Sequence, residues 1–137
     1  MILLDTGYFI ALFRPEDELH ERAVGWSLRL SEPLLVTESV LLECVNSFSR
    51  PKDRPAAHAL IEHVRSEAGC ELVHASPDLF EADVRLHHER PDMEWSLTDC
   101  ISFVLMNERG IGRALAYDHH FDQAGFEALL RKAPPNS

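Results

Sequence analysis

The chain has 137 residues and a mass of 15.6 kDa, a size typical of one folded domain. Its composition, 45% hydrophobic and 26% charged, excludes a disordered chain. The formal net charge of −10 argues against a protein that coats nucleic acid through a broad basic surface, since Lys and Arg supply most of such affinity.

Membrane and export signals are absent from the sequence pattern. Apolar stretches span only a few residues, far fewer than the roughly 20 of a transmembrane helix. Met1–Leu4 is stopped by Asp5 and follows no basic region, so we expect no signal peptide, no membrane contact and a cytoplasmic protein. The cysteines are odd in number and lack a C-x-x-C motif, which predicts free thiols rather than disulfides or a zinc site: Cys44, Cys70 and Cys100.

Short apolar strands alternate with helices along the first half of the chain. Pro15 and the acidic run after it are typical of a helix start, and Gly69 is typical of the residue that follows a helix end. Thr37 or Ser39 is expected to cap the helix after the second strand. The expected elements are a strand at 2–4, a short helix from 6, a helix from 15 to about 30, a strand at 34–36, a helix ending near 50 and a helix at 55–68.

The second half continues the same alternation. Ser76 and Ser96 are predicted helix caps, and Gly110 follows a predicted helix end. The expected elements are a strand at 70–74, a helix at 77–88, a helix at 97–109, a strand at 114–117, a turn or short helix at 119–124 and an edge strand at 126–130.

This order of elements predicts a three-layer α/β/α fold with a central parallel sheet of about five strands. We expect residues 1–132 to form a single domain and residues 133–137 a disordered tail. Open parallel sheets bind ligands beyond the carboxyl ends of their strands, so candidate site residues are sought there.

Three aspartates are candidate site residues. Asp5 comes directly after the first strand and Asp118 directly after the fourth, so both are expected at one edge of the sheet. Asp99 lies in the first turn of a largely apolar, central helix. Each also has a purely structural interpretation: Asp5 and Asp118 could cap the next helix, and Asp99 has capping-box spacing from Ser96.

Glu43 is a fourth candidate on the helix after the second strand. It belongs to a polar line that includes Ser39, Asn46 and Arg50, opposite an apolar stripe. By spacing alone this line is an ordinary solvent-exposed face.

Four segments together resemble a known family. They are Met1–Ile10 (MILLDTGYFI), Thr37–Asn46 (TESVLLECVN), Trp95–Phe103 (WSLTDCISF) and Tyr117–Phe126 (YDHHFDQAGF). In this order and spacing the sequence is similar to PIN-domain ribonucleases, in particular VapC-like toxins of type II toxin–antitoxin systems. The resemblance implies a PIN-like fold, a metal-dependent endoribonuclease, an RNA substrate, a cognate antitoxin and a homodimer.

The resemblance also implies roles for individual residues. It makes Asp5, Glu43, Asp99 and Asp118 an acidic quartet, which we name the carboxylate quartet. Thr6 and Ser96 fall on supporting hydroxyl positions, and Asp122 on that of an assisting acid. Family members often have Thr or Ser two residues before the last aspartate, where this chain has Ala116, so one supporting hydroxyl is lost but no ligand.

The implied cofactor is Mg²⁺, with Mn²⁺ as an alternative, because both prefer carboxylate and water oxygens. We expect Asp5 and Asp99 to bind the ion directly, and Glu43 and Asp118 to reach it through water or to hold a second ion. Crowded carboxylates repel one another without metal, which predicts at least one raised pKa.

Other residues carry weaker signals. Four basic side chains are predicted contacts for the RNA backbone: Arg14, Arg50, Lys52 and Arg54. Core packing is expected of the aromatic residues Tyr8, Phe9, Phe13, Phe48, Phe103 and Phe121. The adjacent pairs His87–His88 and His119–His120 lack the i, i+4 spacing of helical zinc ligands, so structural or solvated histidines are expected.

Two alternative functions remain open at the level of sequence. One is a catalytically silent PIN-like scaffold that binds protein or RNA. The other is a phosphoacceptor signalling domain, although Asp5 lacks a neighbouring acid and residues 114–122 contain no lysine.

Overall fold

The computed structural model describes residues 1–135 and shows strands and helices in alternation. In chain order the elements are β1 (Ile2–Leu4), α1 (Thr6–Phe13), α2 (His20–Ser27), β2 (Leu34–Thr37), α3 (Glu38–Ser47), α4 (Arg54–Ser66), β3 (Cys70–Val73), α5 (Pro77–Glu89), α6 (Leu97–Arg109), β4 (Arg113–Leu115), α7 (His119–Gln123), β5 (Glu127–Ala128) and a 3₁₀ turn (Leu129–Arg131).

The five strands form one parallel sheet in the order β3-β2-β1-β4-β5. The chain moves outward from β1 to β2 and β3 on one side, and to β4 and β5 on the other. The carboxyl ends of β1 and β4 therefore flank a topological switch point, where open parallel sheets form their crevice. The predicted parallel α/β fold is confirmed.

Alternating side chains of the strands build a separate core on each face of the sheet. Ile2 and Leu4 pack with Phe9 and neighbouring helices on one face, whereas Leu3 packs with Phe103 on the other. Because helices cover both faces of the sheet, the central strand β1 is apolar on both sides. This is the expected three-layer arrangement.

The predicted helix caps form as the sequence indicates. The side chain of Thr37 accepts a hydrogen bond from the backbone N–H of Val40, and that of Ser76 accepts one from Leu79. Gly110 follows α6 with φ of 65°, in the left-handed region that glycine occupies without strain.

The start of α2 differs from the prediction. The helix begins at His20 rather than near Pro15, and it ends at Ser27 rather than near Leu30. Asp17 explains the late start: its side chain accepts from the N–H of Leu19 and its carbonyl accepts from the N–H of His20. These local bonds hold the acidic run in turns, in competition with the helix.

The last strands are shorter than predicted. β4 ends at Leu115, so Asp118 does not follow it directly but comes three residues later. β5 has two residues, and Leu129–Arg131 forms a 3₁₀ turn instead of extending the strand.

The predicted tail at 133–137 lies partly outside the described residues, since Asn136 and Ser137 are not described. Pro134 is half-buried and lies against Gly25 of α2. The division of the chain into a domain and a disordered tail stays a prediction.

The cysteines and the membrane prediction can also be compared with the structure. Cys44, Cys70 and Cys100 are free thiols, as predicted. Within residues 1–135, no helix has both the length and the apolar character needed to cross a bilayer.

Gly110 provides a test of the left-handed helix end. We expect Gly110→Ala to lower the free energy of unfolding by about 1–2 kcal/mol, because its Cβ would meet open space and the cost is purely conformational. Gly112→Ala is the matched control: its site is equally open but its φ is not positive. Urea denaturation measures both, and equal effects of the two substitutions would contradict this account.

Candidate active site

The four predicted carboxylates lie in one cleft. Asp5, Glu43, Asp99 and Asp118 all line a cavity of about 700 Å³ at the carboxyl edge of the sheet. They come from four different places in the chain: the end of β1, the middle of α3, the first turn of α6 and the residue before α7. The fold thus brings together residues up to 113 positions apart.

Asp5 is the most buried member of the carboxylate quartet. It is 9% exposed, and its side chain makes no capping hydrogen bond to α1, so the capping interpretation does not hold for this residue. Burial raises its pKa to about 7; the Thr6 backbone amide opposes the rise, and the charges of Asp99, Glu43 and Asp118 add to it. The expected raised pKa is therefore found at Asp5, with desolvation as its main cause.

Asp99 combines the two roles considered for it. Its Oδ2 accepts from the backbone N–H of Ser96 at 3.1 Å, and the Oγ of Ser96 accepts from the N–H of Asp99 at 3.0 Å, which completes a capping box. Within residues 1–135 no hydrogen bond uses its Oδ1. Asp99 thus begins α6 with one oxygen and leaves the other available.

Asp118 and Glu43 are fixed by different neighbours. The Oδ1 of Asp118 accepts from the N–H of His120 at 3.1 Å, so Asp118 does cap α7. The Oγ1 of Thr6 donates to Oε1 of Glu43 at 2.7 Å. Glu43 is exposed, as its polar line predicts, yet the face it occupies is a wall of the cleft.

His120 belongs to the site and was missed by sequence reasoning. Its Nδ1 lies 3.0 Å from Oδ2 of Asp99 and 3.3 Å from Oδ1 of Asp118, and its side chain is only 15% exposed. Because carboxylate oxygens accept, Nδ1 donates this hydrogen bond to Oδ2 of Asp99, and it lies near Oδ1 of Asp118 without a hydrogen bond to it. The adjacent pair His119–His120 after Asp118 was the available signal, but spacing alone could not show which ring turns inward.

The quartet is open rather than tightly clustered. Among residues 1–135, one group of three metal-ligating side chains has its ligand atoms within 4.8 Å of one another: Asp118, His119 and His120. No three members of the quartet meet that criterion. Metal binding by the quartet therefore stays a prediction.

The predicted RNA contacts do not line the cleft. Arg14 donates to the carbonyl of Ser47 and its guanidinium lies over the Phe48 ring, 4.7 Å from the centroid. Arg50 pairs with Asp53, and Arg54 donates to the carbonyl of Ser49. With Lys52, they stay predicted contacts of a longer RNA outside the cleft.

The other supporting residues can be placed as well. Ala116 is fully buried in the core that contains Phe103, so its methyl group packs where a hydroxyl was expected. Asp122 is exposed, does not line the cleft and lies 3.7 Å from Nε of Arg131. Its assisting role stays a prediction, and its contact is with an arginine that sequence reasoning did not single out.

Comparison with known proteins gives the family. A family profile described as PIN domain matches residues 2–127. The chain belongs to the PIN domain family. It is 32% identical over 128 residues to the protein named 23S rRNA-specific endonuclease VapC20 from two Mycobacterium tuberculosis strains, CDC 1551 and H37Rv, covering 92% of this chain and 95% of the relative.

Solved structures agree with this assignment. The crystal structure of Mycobacterium tuberculosis VapC20, described as a toxin that cleaves the sarcin-ricin loop, superposes with a TM-score of 0.86 at 26% identity, over 94% of this chain and 98% of that one. The resemblance to PIN-domain proteins and VapC-like toxins is thus confirmed. The phosphoacceptor alternative finds no support in this family.

Asp5 predicts how stability depends on pH in metal-free protein. The pKa of Asp5 is about 7 in the folded chain and near 3.8 when unfolded. The protonated carboxyl is therefore favoured by folding, and the free energy of unfolding falls as the pH rises from about 4 through 7. We expect Asp5→Asn to raise Tm by several degrees relative to wild type at pH 8, with the gain vanishing near pH 4.

Thermal melts in EDTA from pH 4 to 8 measure this difference. Glu81→Gln removes an exposed carboxylate of α5 and serves as the control. A Tm difference between Asp5→Asn and wild type that does not change with pH would contradict the assigned cost of burying this charge.

Proposed function

We propose that this protein is a metal-dependent endoribonuclease that hydrolyses RNA phosphodiester bonds as the toxin of a toxin–antitoxin pair. One observation carries the proposal: four carboxylates from distant segments meet in one cleft at the switch point of a PIN domain. Similarity to VapC20, over nearly the whole of both chains, supports it.

The quartet suits a hard divalent cation. Ionised Asp5 is destabilised by burial and by three neighbouring acids, and a cation would remove that cost. We infer that Asp5 and Asp99 bind Mg²⁺ or Mn²⁺ directly, and that Glu43 and Asp118 act through water or hold a second ion. Two carboxylate oxygens have no hydrogen bond within the described chain and could bind an ion or its water: Oδ1 of Asp99 and Oδ2 of Asp118.

The neighbouring groups hold these carboxylates in position. Ser96 and His120 together fix Oδ2 of Asp99, and within the described chain Oδ1 is left without a hydrogen bond. Thr6 fixes one oxygen of Glu43. When bound, the ion would lower the pKa of a water and stabilise negative charge on the scissile phosphate.

Substrate and partners follow from the same proposal. The relatives are named for cleavage of 23S rRNA, so we infer an RNA substrate here and rank ribosomal RNA first among RNAs to test. We further infer a cognate antitoxin that covers the cleft, a homodimer, and function in the cytoplasm.

Cleavage of RNA is the direct test. We expect the protein to cut ribosomal RNA and a panel of structured RNAs in Mg²⁺ or Mn²⁺, and EDTA to abolish cutting. Asp5→Asn and Asp99→Asn should each lower the rate by at least about 100-fold, because each removes a direct ligand. Gel analysis of the RNA ends measures the rate, with Glu81→Gln as the matched charge control.

Two results would contradict this function. Undiminished cleavage in EDTA would exclude the metal mechanism. Absence of cleavage in every RNA, together with Mn²⁺ binding by calorimetry, would favour the silent scaffold instead.

The toxin role has its own test. We expect induced expression of the wild-type chain to stop bacterial growth, and Asp99→Asn to relieve the arrest at equal protein level. Colony counts and immunoblots measure this. Equal arrest by Asp99→Asn would show that growth inhibition does not depend on cleavage.

A further inference from the structure

The cleft is strongly acidic except at one corner. Six carboxylates line it: Asp5, Asp17, Glu43, Glu94, Asp99 and Asp118. Arg131 is the one arginine or lysine among its described lining residues. A phosphodiester chain entering the cleft therefore meets a fixed cationic side chain in one place, next to Tyr117.

Arg131 is held firmly against Tyr117. Its guanidinium carbon lies 5.2 Å from the centroid of the tyrosine ring, and its NH1 donates to the carbonyl oxygen of Tyr117 at 2.9 Å. Leu130 reinforces the contact, since it is fully buried and its N–H donates to the carbonyl of Ala116. The 3₁₀ turn that follows β5 therefore fixes the arginine beside the residues preceding Asp118.

Tyr117 is the one Phe, Tyr or Trp among the described residues that line the cleft. Tyr117 is 45% exposed, so part of its ring is open to the cavity. The aromatic residues expected in the core are half-buried or buried, which confirms that expectation: Tyr8, Phe9, Phe13, Phe48, Phe103 and Phe121. Tyr117 immediately precedes Asp118 and lines the same cavity as the carboxylate quartet.

We propose that Tyr117 and Arg131 form a nucleobase subsite, in which an unpaired base of the RNA stacks on the Tyr117 ring and Arg131 contacts the adjoining phosphate. Aromatic stacking accepts any base, and an arginine beside the ring adds attraction for the negatively charged backbone. The subsite would place an unstacked nucleotide next to the bond that the quartet cleaves. It rests on the proposed ribonuclease function and deepens it by naming the two residues that would hold one unpaired nucleotide.

Binding of short RNAs tests stacking without relying on cleavage. The probe is a fluorescent single-stranded 12-nucleotide RNA, bound to the Asp99→Asn protein so that it stays intact. We expect Tyr117→Ala in this background to weaken the affinity by about 5- to 150-fold, and Tyr117→Phe to change it less than about twofold, because the ring is kept. Phe80→Ala is the matched control, since Phe80 is an equally exposed ring (52%) outside the cleft.

A series of the same RNA with one abasic nucleotide at each position locates the stacked base. We expect one abasic position to lower the RNA affinity of the protein that keeps Tyr117. The same abasic position should cause no further loss of affinity in Tyr117→Ala. An abasic penalty of equal size in both proteins, or full affinity of Tyr117→Ala, would overturn the proposal.

Arg131 is tested by salt dependence. We expect Arg131→Ala to lower the slope of log affinity against log salt by about one contact, whereas Tyr117→Ala leaves the slope unchanged. Arg131→Gln, which keeps a hydrogen-bond donor without the charge, should behave like Arg131→Ala. An unchanged slope in both arginine variants would remove the phosphate contact from the proposal.

Metal binding separates this proposal from the proposed function. Mn²⁺ affinity of Tyr117→Ala, with Asp99 intact, should stay within about twofold of wild type. A loss of Mn²⁺ affinity as large as the loss of RNA affinity would make Tyr117 a support of Asp118 and overturn the subsite. If wild type cleaves no RNA, the ribonuclease proposal fails while the stacking result still stands on the binding data.

Discussion

The burial of one negative charge among others is the constraint on which this site depends. Asp5 cannot move away from its neighbours, because its N–H donates to the carbonyl of Leu115 and its chain continues directly from β1 into α1. The sheet therefore fixes the carboxylate where water is scarce and where three further acids surround it. Such a group is stabilised by a proton or by a nearby cation, so the way the strands end creates the condition on which the proposed ion binding rests.

Capping of helices and preparation of a site coincide in this cleft. One oxygen of Asp99 and one of Asp118 are used to begin α6 and α7, and His120 donates from Nδ1 to that same oxygen of Asp99. The structural interpretation of these aspartates and the functional one are thus not exclusive. A carboxylate that is fixed at one oxygen by its own helix presents the other in a defined direction, at little cost in side-chain entropy.

The sequence was informative where a residue's place follows from an element boundary. Asp5 after an apolar strand and Asp99 behind a serine cap could be predicted from local patterns, as could the parallel sheet. Glu43 could not, because its helix face has the pattern of a solvent-exposed surface and only tertiary packing makes it a cleft wall; resemblance to a family supplied it. Tyr117 was missed because β4 ends at Leu115, before the predicted end of the strand at 117, so Tyr117 lies in the loop before α7. Arg131 was missed because it lies beyond the predicted fifth strand, at the end of a 3₁₀ turn that local patterns did not indicate.

The charge of the cleft also bears on how RNA would approach it. The protein carries a formal net charge of −10, and a single arginine cannot offset six carboxylates facing the same space. Without a divalent ion, long-range repulsion weakens the association of a polyanion with the cleft, and contacts such as stacking on Tyr117 act only at short distance. If the proposed function holds, a bound ion both completes the chemistry and offsets part of the negative charge of the cleft. Aromatic stacking then suits recognition in this cleft, since a base held through its π-face needs no further positive charge from the protein.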